Sequence, residues 1–509
     1  MARYVMSNRR AGKFRKEQKL ASRDALATTL TQLSAGIDVV HDREPEEETA
    51  RRVVVFEATP GEIEAKSRQL PMSEDVLIEP EIQHFNEPAY PADFAGLGRR
   101  SFDHLPPAGD GEGLEVEVRG DGSPLAGAEV LLFLRGLGGL QNKLRQTTGE
   151  DGRVELLFSA FWEPSALLVT PVGDFWPVVA RGPSGSEVID CPPLPRTGPS
   201  AWWHELLGSV PFDEGIGEGI RVGVADTGAG PHPCLDHLTV LGAFIDGDFD
   251  PDGGADVDSH GSHVCGTIGG RPRDDGHFAG LAPGAELFSA RVFPADAGAN
   301  QGDIANAIDA LSRDRDVDLI NLSLGAPQGS QIELDAILDA FERGTLCVCA
   351  AANSSGPVEF PAAFEPTVAV SALGLLGWGP AGSVPSIRLP TQPDRFGADN
   401  LFLANFSCFG PEITCAGPGV GILSTVPARH GIEAPFASMG GTSMASPAVC
   451  GTLAAILSLH PVYRKLPRDQ TRAEMARSIL RRNCRDVDLG SDFQGAGVPV
   501  LSRAEGVAK

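Results

Sequence analysis

Four short segments of this 509-residue chain hold side chains whose chemistries complement one another. The apolar run RVGVADTG ends on Asp226. SHGSHVCGT carries His260, AAAN carries Asn353, and GGTSMASPAVCG carries Ser443. A serine hydroxyl is a poor nucleophile at neutral pH. It needs a base within hydrogen-bond reach, and the base needs an anion to orient it. A tetrahedral intermediate then needs donors aimed at its oxyanion. Asp226, His260, Ser443 and Asn353 supply one group for each requirement. Taken singly, Asp226 reads as a turn aspartate and Asn353 as a helix cap; together with His260 and Ser443 they point to nucleophilic catalysis.

The elements that must position these groups are legible from about residue 200 onward. Apolar strands (IRVGVAD, AELFSARVF, DLINLSLG, GTLCVCAAAN, TVAVSAL) alternate with helical stretches (GDIANAIDALSRD, IELDAILDAFERG). That alternation predicts a parallel sheet covered on both faces, with working residues at the carboxyl ends of its strands. Asp226 then ends a strand and Asn353 follows one. His260 precedes a helix, and Ser443 starts another, with Pro447 in the first turn, where proline is tolerated. The block 374–400 reads as a surface insertion.

The motifs DTG (226–228), HGSHVCGT (260–267) and GTSMASP (441–447), with HPCL after the first and NLSLG at 321–325, resemble those of the subtilisin-like serine peptidase (subtilase) family. The resemblance covers roughly residues 200–509, and seven fixed residues in register make GTSMASP the most specific part of it. It implies a serine endopeptidase working through an acyl-enzyme. Ser443 is then the nucleophile, His260 the general base and then acid, and Asp226 the group holding the imidazole tautomer. Asn353 and the Ser443 amide form the oxyanion hole. Ser323, Leu324 and Gly325 form an edge that pairs with extended substrate. NSSGPVEFP places Glu359 at the floor of the primary specificity pocket, where a carboxylate would pair with Lys or Arg; an exposed loop glutamate is the bland alternative. Ser262 stands where the family has threonine, and Cys265 reads as a buried bystander. His263 reads as packing. A peptidase that processes one precursor is a narrower form of this reading. A non-catalytic peptide-binding protein on the same scaffold is the alternative from another class.

Residues 1–85 read as β-α-β-β-α-β, a ferredoxin-like unit. Its parts are RYVMSN, a helix from Ser22 through Leu26, Leu30 and Leu33 to Gly36, then IDVVHD, an acidic turn EPEEE, RRVVVFEA, a helix PGEIEAKSRQL after Thr59, and a closing strand VLIEPEIQHF. The unit resembles the family's propeptides. That implies a zymogen-like arrangement, with the domain docked on its own catalytic domain and the tail, ending near Phe85, in the active site. Residues 86–111 read as a linker. Residues 112–194 read as a small β-sandwich with strands LEVEV, AEVLLFLR, RVELLF and ALLVTPV, loosely similar to transthyretin-like accessory domains. Residues 195–509 form the catalytic domain. The expected architecture is thus an α/β subtilisin-like parallel sheet with helices on both faces, preceded by an α+β domain and a β-sandwich.

Lys+Arg number 42 against 68 Asp+Glu, a net charge of −26. Such a surface repels phosphate and anionic lipid, which argues against nucleic-acid and membrane partners and leaves a peptide or protein substrate. No uninterrupted apolar stretch of about 18 residues occurs, and no secretory signal is visible. The nine cysteines show neither a disulfide framework nor zinc spacing, so free thiols and a cytoplasmic location are expected. Asp248, Asp250, Asp252 and Gly253 begin like a calcium loop, but Ser259 stands at the position where such a loop needs Glu. A solvated loop is expected, with calcium possible and no cofactor required.

Overall fold

The computed structural model describes residues 1–8, 37–42, 51–67, 76–86 and 112–501. The helix expected from Ser22, the EPEEE turn and nearly all of the 86–111 linker lie outside these residues. Strands β1 (Ala2–Asn8), β2 (Asp38–Asp42), β3 (Val53–Ala58) and β4 (Val76–Pro80) form an antiparallel sheet in the order β2-β3-β1-β4. Helix α1 (Pro60–Ser67) follows β3. A capping box opens it: the Thr59 amide and hydroxyl donate to the Glu62 carboxylate at 2.9 and 2.8 Å, and the Glu62 amide donates to the Thr59 hydroxyl at 3.3 Å. Successive strand residues face opposite ways. Tyr4, Met6, Val54 and Phe56 therefore build the domain's own core, while Val5 and Val53 join the core of the catalytic domain.

VLIEPEIQHF is not one closing strand. Its first half pairs with β1, but Pro80 ends the ladder and the Ile82 amide donates to the Gln301 side chain at 2.9 Å. Beyond it, β5 (Gln83–His84) pairs antiparallel with Ala299–Asn300 of the catalytic domain.

The sandwich contains β6 (Glu112–Gly120), β7 (Ser123–Pro124), β8 (Glu129–Arg135), β9 (Gln141–Thr147), β10 (Arg153–Phe158), β11 (Glu163–Thr170), β12 (Val178–Arg181) and β13 (Ser186–Cys191). One sheet runs β10-β6-β13, with β7 beside β6; the other runs β12-β11-β8-β9. Alternate residues Leu114, Val116 and Val118 face Val130, Leu132, Leu167 and Val169 across the core. β9, β12 and β13 escape the sequence reading. β9 (QNKLRQT) is a largely polar edge strand, and β13 pairs parallel to β6 across a long connection instead of closing a hairpin.

Helix α2 (Trp202–Leu207) leads into a nine-stranded, mostly parallel sheet. Its strands are β14 (Arg221–Asp226), β15 (Thr239–Ile245), β16 (Asp248–Asp250), β17 (Glu286–Arg291), β19 (Leu319–Leu322), β20 (Leu346–Ala350), β21 (Val368–Leu375), β22 (Leu401–Leu403) and β23 (Ile413–Pro418). β18 is the short Ala299–Asn300 strand that receives β5. The order is β16-β15-β17-β14-β19-β20-β21-β22, with β23 also on β21; only β16 and β22 run antiparallel to their neighbours. Helices α3 (His260–Gly269) and α6 (Thr442–Leu459) cover one face, packing on Val222, Val224, Leu319 and Val348. Helices α4 (Gln301–Asp309) and α5 (Gln331–Glu342) cover the other, on Ala225, Ile320, Leu322, Cys347 and Cys349. The apolar α6 is a core helix, buried over nearly its whole length. A hairpin of β24 (Ile422–Thr425) and β25 (Phe436–Met439) precedes α6.

Candidate active site

Asp226 ends β14 and is fully buried. Its Oδ1 accepts the Thr227 amide at 2.7 Å and lies 2.7 Å from His260 Nδ1. The loop that delivers His260 is organised by Asp256, whose carboxylate accepts the Thr227 hydroxyl and the amides of Asp258, Ser259 and Ser262 at 2.8–3.0 Å. The Thr227 hydroxyl in turn accepts the Gly261 amide at 2.8 Å. A side chain on Gly261 would lie 2.1 Å from the Gly228 carbonyl, so the glycines of the two motifs allow β14 and α3 to touch. Burial opposes protonation of His260, but the bonded Asp226 carboxylate, helped by Asp258 and Asp256, outweighs it. The imidazole is therefore held above its ordinary value. Among the described residues its Nε2 has no hydrogen-bond partner.

Ser443 is the second residue of α6 and is 4% exposed. Asn353 holds the start of that helix, since its Oδ1 accepts both the Thr442 amide (2.9 Å) and hydroxyl (3.0 Å). Ala352, just before it, has φ +84°, a conformation strained for any residue with a Cβ. A carbon placed on Gly441 would lie 3.3 Å from Asn353 Nδ2 and 3.6 Å from the Ser443 amide. The two donors thus flank one spot.

Pro447 is not in the first turn but is the sixth residue of the helix. It has no N–H to offer the Ser443 carbonyl four residues back. That carbonyl accepts the Ser323 hydroxyl instead, at 2.8 Å. The Ser323 hydroxyl also accepts from Asn321 Nδ2 at 2.9 Å and lies 3.0 Å from the Ser446 hydroxyl. Ser323 is therefore a bracket for the helix that carries Ser443 as well as part of the edge. The signal was the pairing of Ser443 with a proline four residues on. The Ser443 hydroxyl itself points at the Ser323 carbonyl, 3.4 Å away, and makes no hydrogen bond to His260. Such nucleophile–base bonds are commonly unmade before substrate arrives.

The edge at 323–325 already holds an extended strand. The Phe85 amide donates to the Gly325 carbonyl at 2.9 Å, and the Gly325 amide donates back to the Phe85 carbonyl at 3.0 Å. Leu324 turns its side chain into the core. Ala326 pairs with Phe360 at 2.8 and 2.9 Å. This puts the half-buried Glu359 beside the edge, its carboxylate accepting the Ser354 hydroxyl at 2.7 Å and lying 3.7 Å from where a side chain on Gly325 would begin.

Other singled-out residues lie elsewhere. His263 Nε2 faces the carbonyls of Ile422 (3.0 Å) and Ala437 (3.2 Å), tying α3 to the β24–β25 hairpin; burial pushes its imidazole down to about 3. Cys265 is buried, and burial together with Asp226 and Asp256 pushes its thiol up, which makes it unreactive. All nine cysteines are buried, and none forms a disulfide. Asp248 and Asp250 accept amides of their own loop, Phe249 at 2.8 Å and Asp252 at 3.0 Å. Among the described residues no three His, Cys, Asp or Glu groups converge as a metal site.

The profile of the Subtilase family matches residues 217–501. Similar proteins include the Thermophilic serine proteinase of Bacillus sp. (strain AK1), 33% identical over 47% of this chain and 52% of that protein. The Major intracellular serine protease of Bacillus subtilis (strain 168) is 32% identical over 58% of this chain and 84% of its own length. Subtilisin Savinase of Lederbergia lenta is 31% identical over 48% and 79%. The chain thus spans about half the length of the first of these and most of the other two. It belongs to the subtilase family and is a subtilisin-like serine peptidase.

Proposed function

We propose that the chain is an endopeptidase that transfers the acyl group of a peptide bond to Ser443 and then to water. The observation that carries this reading is the buried Asp226–His260 pair, bonded through Nδ1 with Nε2 unpartnered, beside a serine whose helix is braced on Asn353 and Ser323. In this reading His260 Nε2 takes the Ser443 proton as Oγ attacks the carbonyl. Asp226 stabilises the resulting imidazolium, and the Asn353 amide and Ser443 N–H receive the oxyanion. His260 then protonates the leaving amine, and water repeats the cycle on the acyl-enzyme. A fluorophosphonate should label the wild-type chain on Ser443 and leave Ser443→Ala unlabelled. An unlabelled mature protein, freed of the N-terminal domain, would favour a peptide-binding scaffold instead.

The N-terminal domain is, in this proposal, a propeptide-like inhibitor docked on its own catalytic domain. The antiparallel sheet order β2-β3-β1-β4 with α1 after β3 supports the ferredoxin-like reading, and the pairing of Phe85 with Gly325 supports occupation of the substrate edge. Glu359, beside that edge, supports a basic residue next to the scissile bond. Profiling Glu359→Gln against a peptide library tests this, and an unchanged preference removes it. The nine buried thiols support a reducing, cytoplasmic setting. Loss of thermal stability on adding EDTA would favour calcium binding.

A further inference from the structure

The peptidase reading leaves one buried acid unused. Glu333 lies in the first turn of α5, in a Ser330-Gln-Ile-Glu333 sequence that has the form of a capping box. Half of the box is made, since the Ser330 hydroxyl accepts the Glu333 amide at 3.2 Å. The carboxylate does not turn back to complete it. Its Oε2 sits 3.1 Å from His84 Nε2, and both side chains are fully buried. Glu333 Oε1 and His84 Nδ1 have no partner among the described residues. Close by are the Cys347 and Cys349 thiols, whose pKa values Glu333 helps to raise. Among the described residues, the one side-chain donor that meets this carboxylate therefore comes from the tail. A buried carboxylate stripped of its donor is strongly disfavoured.

Strand register says what replaces the tail. Phe85 lies opposite Gly325 in an antiparallel pair, so a chain continued in the same register places its next-but-one residue opposite Ser323. The Ser323 carbonyl is the atom the Ser443 hydroxyl faces, so that residue carries the attacked carbonyl. The His84 position is three residues before it, and strand alternation sends its side chain away from the Phe85 direction, into the pocket that Glu333 closes. Gly298 clears the path: a side chain there would start 2.7 Å from the Phe85 ring and 2.8 Å from the His84 carbonyl.

We propose that Glu333 is a specificity-determining residue that selects peptides with Lys, Arg or His three residues before the residue bearing the scissile carbonyl. The proposal rests on the peptidase reading and adds to it a second acidic subsite, built on Glu333 and not on Glu359. A site built to receive a donor discriminates strongly against a side chain that lacks one.

The test uses the full-length chain and internally quenched peptides identical except at this position, which carries Lys, Arg, His, Gln or Leu. The cut bond is identified by mass spectrometry. Wild type should cleave the Lys, Arg and His peptides with kcat/KM at least about tenfold above Leu. Glu333→Gln should narrow the gap and Glu333→Leu should reverse it, with folding checked by thermal melting. Equal rates for Lys and Leu in wild type overturn the proposal without any variant, and so does a preference that survives in Glu333→Leu. Cleavage and Ser443 labelling without this preference sink the subsite alone. No cleavage and no labelling, in wild type and in an Arg51→Ala variant with its N-terminal domain loosened alike, sink the peptidase reading and the subsite with it.

Discussion

Two domains are attached to the peptidase, and they hold it by different physics. The N-terminal domain uses strand pairing and charge. Arg51, buried, bridges Asp309 at 3.1 Å and Asp339 at 3.0 Å. Glu79 accepts the Ser330 hydroxyl (2.6 Å) and the Gln331 amide (2.7 Å) at the start of α5, where a helix favours an anion. The sandwich uses rings. Trp176 stacks edge-on against Trp378, 5.5 Å between centroids, and Trp378 meets Trp203 at 6.0 Å. Four backbone-donated hydrogen bonds frame that contact: Asp174 to Phe436 at 2.7 Å, Phe436 to the Asp174 carboxylate at 3.2 Å, Val384 to Pro177 at 2.8 Å and Val179 to Gly382 at 3.0 Å. Block 374–400 is thus the clamp for the sandwich and not a bare surface insertion. The difference suggests a releasable partner on one side and a permanent one on the other. A charged, desolvated interface is specific yet adds little net stability, whereas aromatic burial is stabilising in itself.

The comparison breaks first at Arg51. Arg51→Ala leaves Asp309 and Asp339 facing each other and should cost about 3–5 kcal/mol of docking. Hydrogen exchange should accelerate at the Val53–Phe56 amides and stay unchanged at Val178–Arg181. Trp176→Ala should do the reverse, costing about 3 kcal/mol through lost burial; if both regions loosen in either variant, the two interfaces are not independent. A third measurement concerns Asp258 of the loop before His260, whose charge adds to burial in raising the Glu129 carboxyl of the sandwich and helps to raise His260. In the proposed mechanism neutral His260 is the active form, and its pKa is raised, so kcat/KM should fall on acidification at a pH above the ordinary imidazole value. Removing the negative charge in Asp258→Asn lowers that pKa, so the acid limb should move to lower pH. The smallest effect expected is that of salt. Raising ionic strength to about 1 M shortens the screening length to about 3 Å. That should modestly reduce protection of β1, where the partly exposed Arg3 pairs with Glu81 and Asp246, and leave β12 untouched.

The alternation of strands and helices after residue 200 was readable because its signal is local: a few apolar residues, then an amphipathic period. The same holds for the Thr59 capping box. The break at Pro80 was less readable, because VLIEPEIQHF keeps strand-like composition on both sides of it while its two halves pair with different domains. β9 and β12 were missed where polar edges and flanking aromatics hide the alternation. Glu333 carries no signal of its own in the sequence, because an acid in the first turn of a helix is ordinary there.

Residue types and their order along the chain determined the chemistry on offer: an acid, an imidazole, a hydroxyl and an amide, each at the end of a strand or the start of a helix. Local backbone preferences encode that much, since each motif is only a few residues long. Only the tertiary structure decided that Pro447 frees a carbonyl for Ser323, that His84 meets Glu333 some 249 positions away, and that Phe85 lies on Gly325. Such contacts are chosen by burial and by the need to satisfy every desolvated donor and acceptor. Those requirements act across space, and the neighbouring sequence can show, as Pro447 does, that a group is left over but not which partner takes it.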